Sequence, residues 1–239
     1  MNYSELVTAI QTYTENNFPS TTLADGTTVS STTQINRLIE QAEQRIYNSV
    51  QFPSLRKNVT GSVSTTNKYL SCPNDFLSTY SLAVIDASGN YEYLLNKDVN
   101  FIRQAYPNPT TDTGIPKYYA LFGPTVTSST ITNELSFILG PTPDAAYSVE
   151  LHYYYYPESI TTATTTWLGD NFDTVLLYGS LVEAYTYMKG EQDLITLYDT
   201  KYKEALALAK RLGDGLERSD AYRSGQYREA PLPQNTGIR

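Results

Sequence analysis

The sequence is short of the residues on which most enzyme chemistry depends. Its 239 residues include one cysteine, Cys72, and one histidine, His152. A single cysteine excludes an internal disulfide framework and a multi-cysteine zinc site. A single imidazole leaves little material for metal binding or acid–base work. No apolar run approaches the roughly 20 residues of a membrane-spanning helix. The opening Met1-Asn2-Tyr3-Ser4-Glu5 lacks the basic start and apolar stretch of a secretory signal. Basic residues are also scarce: 17 Lys and Arg against 25 Asp and Glu give a formal charge of −8. That is the wrong sign for the basic stripe that marks tight phosphate binding. From residue 191 onward the two signs balance at eight each, so the whole acidic excess lies before it.

Tyrosine, by contrast, is abundant, with 22 residues, and threonine is plentiful. Both favour pleated, half-buried surfaces. Composition therefore predicts a soluble, strand-rich protein with adhesive aromatic surfaces and names no reaction.

Periodicity divides the chain in three. The first seventeen residues read as a helix, with Asn2 as cap, Glu5 three positions on, and Tyr3, Leu6, Val7, Ile10 and Tyr13 at helical spacing. After a polar stretch from Pro19 to Ser30, Ser31 and Gln34 suggest a capping box. Ile35, Leu38, Ile39, Ala42, Ile46 and Val50 then form an amphipathic helix that ends near Pro53. From Leu55 the period shortens. Val59–Ser64 with Lys68–Cys72, and Tyr80–Ala87 with Tyr91–Leu95, read as hairpins, the second turned by Ser88-Gly89-Asn90. Asp98 caps a short helix through Phe101, Ile102 and Ala105. Lys117–Phe122, Glu134–Leu139 and Tyr147–Tyr156 read as strands. In the last, Tyr147, Val149, Leu151, Tyr153 and Tyr155 share one face, and Ser148, Glu150, His152, Tyr154 and Tyr156 the other.

Helical spacing returns behind Asp170, through Val175, Tyr178, Leu181, Val182, Tyr185 and Met188 to a break at Gly190. A longer helix from Leu194 to Leu212 follows, with Gly213 and Gly215 as stops. Each of these four amphipathic helices needs an apolar partner. The expected fold class is thus α+β: a four-helix bundle formed by the N- and C-terminal helix pairs (1–54 and 158–213), an inserted antiparallel β lobe (55–157), and an extended C-terminal tail (214–239). The tail has no core-facing stripe and is expected to order only against a partner.

Candidate chemistry is sparse. His152 could be oriented by Glu150, with Ser148 on the same face, but three residues of one strand do not converge as a hydrolase triad does. The expected role of His152 is a half-exposed strand residue. Cys72, with no basic neighbour nearer than Lys68, reads as a small apolar filler. Gly213-Asp214-Gly215 is too short for a phosphate loop and follows a helix instead of opening one. Asp193, Asp199 and Glu204 read as a solvated helix face. The run Tyr153–Tyr156 is the most conspicuous motif. Alternation turns two of the four inward and leaves Tyr154 and Tyr156 for a subunit or neighbour interface, where tyrosine is enriched. A ligand-stacking platform is the other reading.

Several stretches resemble the head-to-tail adaptor, or connector, proteins of short-tailed bacteriophages. They are Ile39–Tyr47, Pro53–Lys57, Tyr69–Leu77, Pro116–Tyr119, Tyr147–Pro157, Trp167-Leu168 and Glu183–Glu191, which together span most of residues 1–212. The resemblance implies a non-enzymatic virion component with no cofactor and no metal. It implies a homo-oligomeric ring of about twelve copies between the portal protein and the tail nozzle protein, with tail fibres as further partners. It places the chain at the head–tail junction of the virion, and in the host cytoplasm during assembly, away from membranes. In that reading the tail segment docks on the portal, which makes Arg218, Tyr222, Arg223, Tyr227 and Arg228 partner-binding residues. Tyr154 and Tyr156 would face a subunit or the nozzle. The acidic excess suits a channel through which DNA slides without specific binding. Two other classes remain open: a carbohydrate- or receptor-binding virion module built on the tyrosine run, and a hydrolase using His152.

Overall fold

The computed structural model describes residues 1–225 apart from 124, 128, 129 and 134. In chain order, α1 is Tyr3–Thr14, β1 Thr21–Thr22, β2 Thr28–Val29 and α2 Ser31–Ser49. Next come β3 (Arg56–Val63), β4 (Tyr69–Ser71), β5 (Ser78–Ile85), β6 (Tyr91–Tyr93), β7 (Leu95–Asn96) and α3 (Val99–Ala105). They are followed by β8 (Tyr118–Phe122), β9 (Thr125–Thr127), β10 (Thr130–Asn133), β11 (Ser136–Gly140) and β12 (Tyr147–Tyr154). Helices α4 (Ile160–Ala163), α5 (Trp167–Asn171), α6 (Asp173–Tyr187) and α7 (Gln192–Gly225) complete the described elements. The described residues form two compact units, one of residues 1–54 and those from 157 onward, the other of Leu55–Tyr156.

In the helical unit the local signals act where their chemistry allows. Asn2 and Glu5 form the reciprocal capping box of α1, each bond 2.9 Å, and bury Leu6 and Ile10 on its inner face. The cap of α2 is Ser30, which accepts from the Thr33 N–H, so the box expected from Ser31 and Gln34 does not form. Gln34 is instead buried. Its Nε2 donates to the carbonyls of Pro19 and Val29, and its oxygen accepts from the Tyr187 hydroxyl. The small β1–β2 hairpin is thereby tied to α2.

The four-helix bundle is not what these helices build. The chain is a mixed α+β fold with seven α-helices among the described residues. In the helical unit α1, α2 and α7 pack chiefly on α6 instead of meeting as four equivalent members. The reason lies in α6 itself. Val175, Leu176, Leu181, Val182, Ala184 and Tyr185 are buried together with Gly179 and Ser180, so it is covered around most of its circumference and acts as a hub. Asp170 does not cap this helix. It lies inside α5, which Thr166 caps by accepting from the Gly169 N–H.

Nor does an extended tail begin at residue 214, since α7 continues to Gly225. Gly213 serves close packing instead of termination: a Cβ there would stand 2.8 Å from the Gln51 carbonyl oxygen. Residues 226–239 lie outside the described residues.

Among the described residues one carboxylate in this unit is buried. Glu43 of α2 accepts from the Ile160 N–H at 3.0 Å, at the start of α4. Desolvation pushes its carboxyl above the usual range, opposed by hydrogen bonds from Ser159 and Ile160 and aided by nearby Glu40. A carboxyl raised by folding favours the folded state while protonated, and stability falls as pH rises from its unfolded value through its folded one. Glu43→Gln should therefore remove part of the loss of stability between mildly acidic and neutral pH. Urea midpoints measured across that range check this, and an unchanged pH slope would sink it.

The second unit joins two four-stranded sheets, ordered β4-β11-β8-β7 and β3-β12-β5-β6. Both contribute to one core that includes Val63, Leu82, Val84, Phe137, Leu139 and Val149. On the other face of the first sheet, Ile102 of α3 packs with Ala120 and Ile138. The β5–β6 hairpin forms as its turn residues predict. The Asp86 carboxylate accepts from the Ser88 and Asn90 N–H groups, and Gly89 takes φ 84°. The expected pairing of β3 with β4 does not occur: β3 pairs with β12 and β4 with β11, in different sheets. An eight-residue ladder with β12 outweighs a three-residue hairpin. One pairing, β7 with β8, is parallel, so the unit is not wholly antiparallel.

Candidate interaction site

Strand β12 sits between β3 and β5, and its alternation sorts the tyrosine run by chemistry. Tyr153 points into the core at 1% exposure and stacks on Phe76 with centroids 5.8 Å apart. Its hydroxyl donates to Asp75 Oδ1 at 2.8 Å, while Lys57 Nζ donates to Oδ2 at 2.7 Å. Desolvation, followed by the bond to Asp75, holds the Tyr153 phenol above its ordinary value. Desolvation pushes the Asp75 carboxyl upward, but the donors from Lys57 and Tyr153 outweigh it and bring the carboxyl below its ordinary value. Tyr155 is partly buried against the same core, with Lys57 Nζ 4.9 Å from its ring centre.

The opposite face is open. Arg56 lies over the rings of both Tyr80 (4.9 Å) and Tyr154 (5.8 Å), which meet edge to face. Tyr80 arrives there through an irregularity. The β12–β5 ladder runs from His152 opposite Ser81 to Tyr153 opposite Thr79, so Tyr80 is the extra residue of a bulge. Further along, Tyr91 and Tyr93 stack at 6.3 Å and are both more than half exposed. Tyr156 is exposed just beyond the end of β12.

Between these aromatic groups lies the histidine. His152 Nδ1 is 3.2 Å from Ser81 Oγ, and its Nε2 is 3.7 Å from Glu150 Oε1. That same oxygen accepts from Asn58 Nδ2 at 2.6 Å. A hydrogen bond to Glu150 also raises the Tyr91 phenol. Ser148 is not part of the group: it stands opposite Ile85, near the other end of the strand. The histidine is thus held by Ser81, which strand alternation alone does not identify. The polar atoms of Ser81, His152, Glu150 and Asn58 on this face contact one another and are held in place before any partner arrives.

The other candidates resolve simply. Cys72 is half-buried and desolvation pushes its thiol up to about 12, so it is not a reactive thiolate. Asp199 pairs with Lys203 and Glu204 with Lys201 on the exposed side of α7, as a solvated face should. Among the described residues no cluster of three or more His, Cys, Asp or Glu side chains is placed to hold a metal ion. No described helix is long and apolar enough to cross a membrane. Arg218, Tyr222 and Arg223 fall within α7, whereas Tyr227 and Arg228 lie outside the described residues.

Compared with known proteins, residues 1–229 match the family model described as SU10 adaptor protein. No curated protein matches the chain.

Proposed function

This chain belongs to the SU10 adaptor protein family, and from that membership we propose that it forms a closed ring joining the portal to the tail nozzle of a bacteriophage particle. The coarser part of this statement, a structural adaptor of the phage virion, comes directly with the family. The observation that carries the rest is the extent of the match, which includes both compact units. A ring of identical subunits needs two different complementary patches per copy. The preordered face around Arg56, Tyr80 and Tyr154, with Tyr156 beside it, supplies one surface of suitable composition. Tail fibres are further candidate partners of the β unit.

In this reading the protein works by shape and turns over no substrate. DNA passes through a lumen lined by some of the acid-rich first 190 residues, which repel phosphates instead of holding them. The portal is met by the C-terminal segment, with Arg218, Tyr222 and Arg223 carried on α7 and Tyr227 and Arg228 beyond it.

Native mass measurement of the chain mixed with its portal protein tests this. The expected product is a stoichiometric complex near twelve adaptor copies, with a negative bore when imaged. A chain lacking residues 216–239 should remain folded and fail to join the portal. A full-length chain that never binds the portal would overturn the reading, and a strongly positive bore would remove the channel-lining part of it.

A further inference from the structure

The β unit carries a cationic cleft in an otherwise acidic protein. Lys68, Arg103, Tyr106, Pro107 and Pro109 line a depression of about 110 Å³ over Ile138 and Leu139. Arg103 is in the last turn of α3 and exposed, and Lys68, just before β4, is half-buried with its ammonium 5.3 Å from the Tyr69 ring centre. Lys97 lies nearby in the chain, its ammonium 5.4 Å from the ring centre of Phe101 in α3. Among the described residues none of these three cations has a carboxylate within 4.0 Å. Folding therefore leaves their charge uncompensated. Of the three, Lys68 is the one partly withdrawn from water, where a pairing is least screened.

Elsewhere the described residues carry unpaired groups of both signs, Arg37, Lys117 and Lys189 among the basic ones, but before residue 191 the acidic residues outnumber the basic. Of the acidic excess of eight, six fall in residues 1–54 and 157–190 and two in 55–156. At the α5–α6 corner, Asp170 and Asp173 are exposed and have no basic partner within 4.0 Å. Both follow Trp167, the chain's single tryptophan and the first residue of α5, which is 36% exposed although its ring also meets Phe52 and Phe172. A half-seated tryptophan close in the chain to two exposed carboxylates, of which Asp173 accepts from the Thr174 hydroxyl, has the composition of an interface anchor. It matches in sign and character a cleft walled by Arg, Tyr and Pro.

We propose that the Lys68–Arg103 cleft receives the Asp170–Asp173 corner of a second copy of this chain, as the head-to-tail contact from which the ring is built. This deepens the adaptor reading and rests on it. A heterologous contact of this kind propagates from copy to copy until it closes. Its charge pairs supply both the register of the contact and the attraction that salt screens.

The test is a charge swap read by sedimentation of the full-length chain. Wild type should associate reversibly at about 0.02 M salt and revert to monomer at about 0.5 M, where the Debye length falls to a few ångströms. Lys68→Glu with Arg103→Glu should stay monomeric at low salt, and so should Asp170→Lys with Asp173→Lys. Thermal unfolding checks that both remain folded. Mixed in equal amounts, the two variants should regain association, because each presents the sign the other now lacks. Wild type that stays monomeric at low salt, a variant that associates normally, or a mixture that does not recover would each overturn the proposal. If the cleft variant still joins the portal in full stoichiometry, this contact is wrong and the adaptor reading stands. If wild type never joins the portal, it is the adaptor reading that fails.

Discussion

Tyr153→Ala is expected to cost about 3–5 kcal/mol of folding free energy, the range for emptying a fully buried aromatic site. Its ring stacks on Phe76 within a core shared by both sheets, so no single loop can close over the cavity. Tyr153→Phe separates packing from hydrogen bonding. It keeps the ring and removes only the donor to Asp75, whose partner Lys57 remains, so the loss should be about 1 kcal/mol. Tyr156→Ala, at an exposed position beyond the strand end, should change stability by no more than about 0.5 kcal/mol. Urea denaturation of the three variants measures the contrast. Equal losses at positions 153 and 156 would contradict the inward and outward assignment of the tyrosine run.

The second large effect concerns Gly179→Leu in α6. A Cβ at this position would approach a Tyr202 ring carbon at 3.3 Å and the Ala42 Cβ at 3.4 Å, where α7 and α2 meet the hub. Leucine adds three further carbons to that site, and overpacking of a filled core costs about 1–3 kcal/mol or more. The helical unit should lose a large part of its cooperative unfolding signal. Gly179→Ala is a different case. Better helix propensity contributes up to about 1 kcal/mol, and the Tyr202 ring needs to move only slightly, so the two effects nearly cancel. Thermal melts that rank leucine above alanine would show that the helices are spaced more widely than this.

Much of the fold was legible from period alone. The stripe from Ile35 to Ile46 marks α2 because one face is buried and the other wet. The alternation of Val149, Leu151 and Tyr153 marks a strand with one dry face. Less legible was anything set by partners far along the chain. The stretch Val59–Ser64 carries no mark that its mate is β12 and not the nearer β4, since ladder length decides that. Gly213 reads as a stop, but the neighbouring Gln51 backbone explains it. Helix α6 looks amphipathic one turn at a time, and only the packing of three other helices around it reveals a hub.

The interaction site divides the same way. Tyr154 and His152 could be placed on a common outer face by counting residues. Tyr80 and Ser81 could not: Ser81 reaches His152 only through the pairing of β5 with β12, and a one-residue bulge sets Tyr80 out of the regular ladder beside it. The Lys68–Arg103 cleft joins a strand approach to the end of α3, 35 positions on, and leaves no local pattern to read.

The pairing of β3 with β12 has a consequence for how such a molecule can diversify. Arg56 lies opposite Tyr154, and the Tyr155 N–H donates to the Leu55 carbonyl at 2.9 Å, so the second unit begins and ends at a single clasp. A module whose two termini are stapled side by side can be exchanged whole, like a cartridge in its socket. Recombination at positions 54 and 157 would exchange the second unit and leave the sequence of the helical unit unchanged.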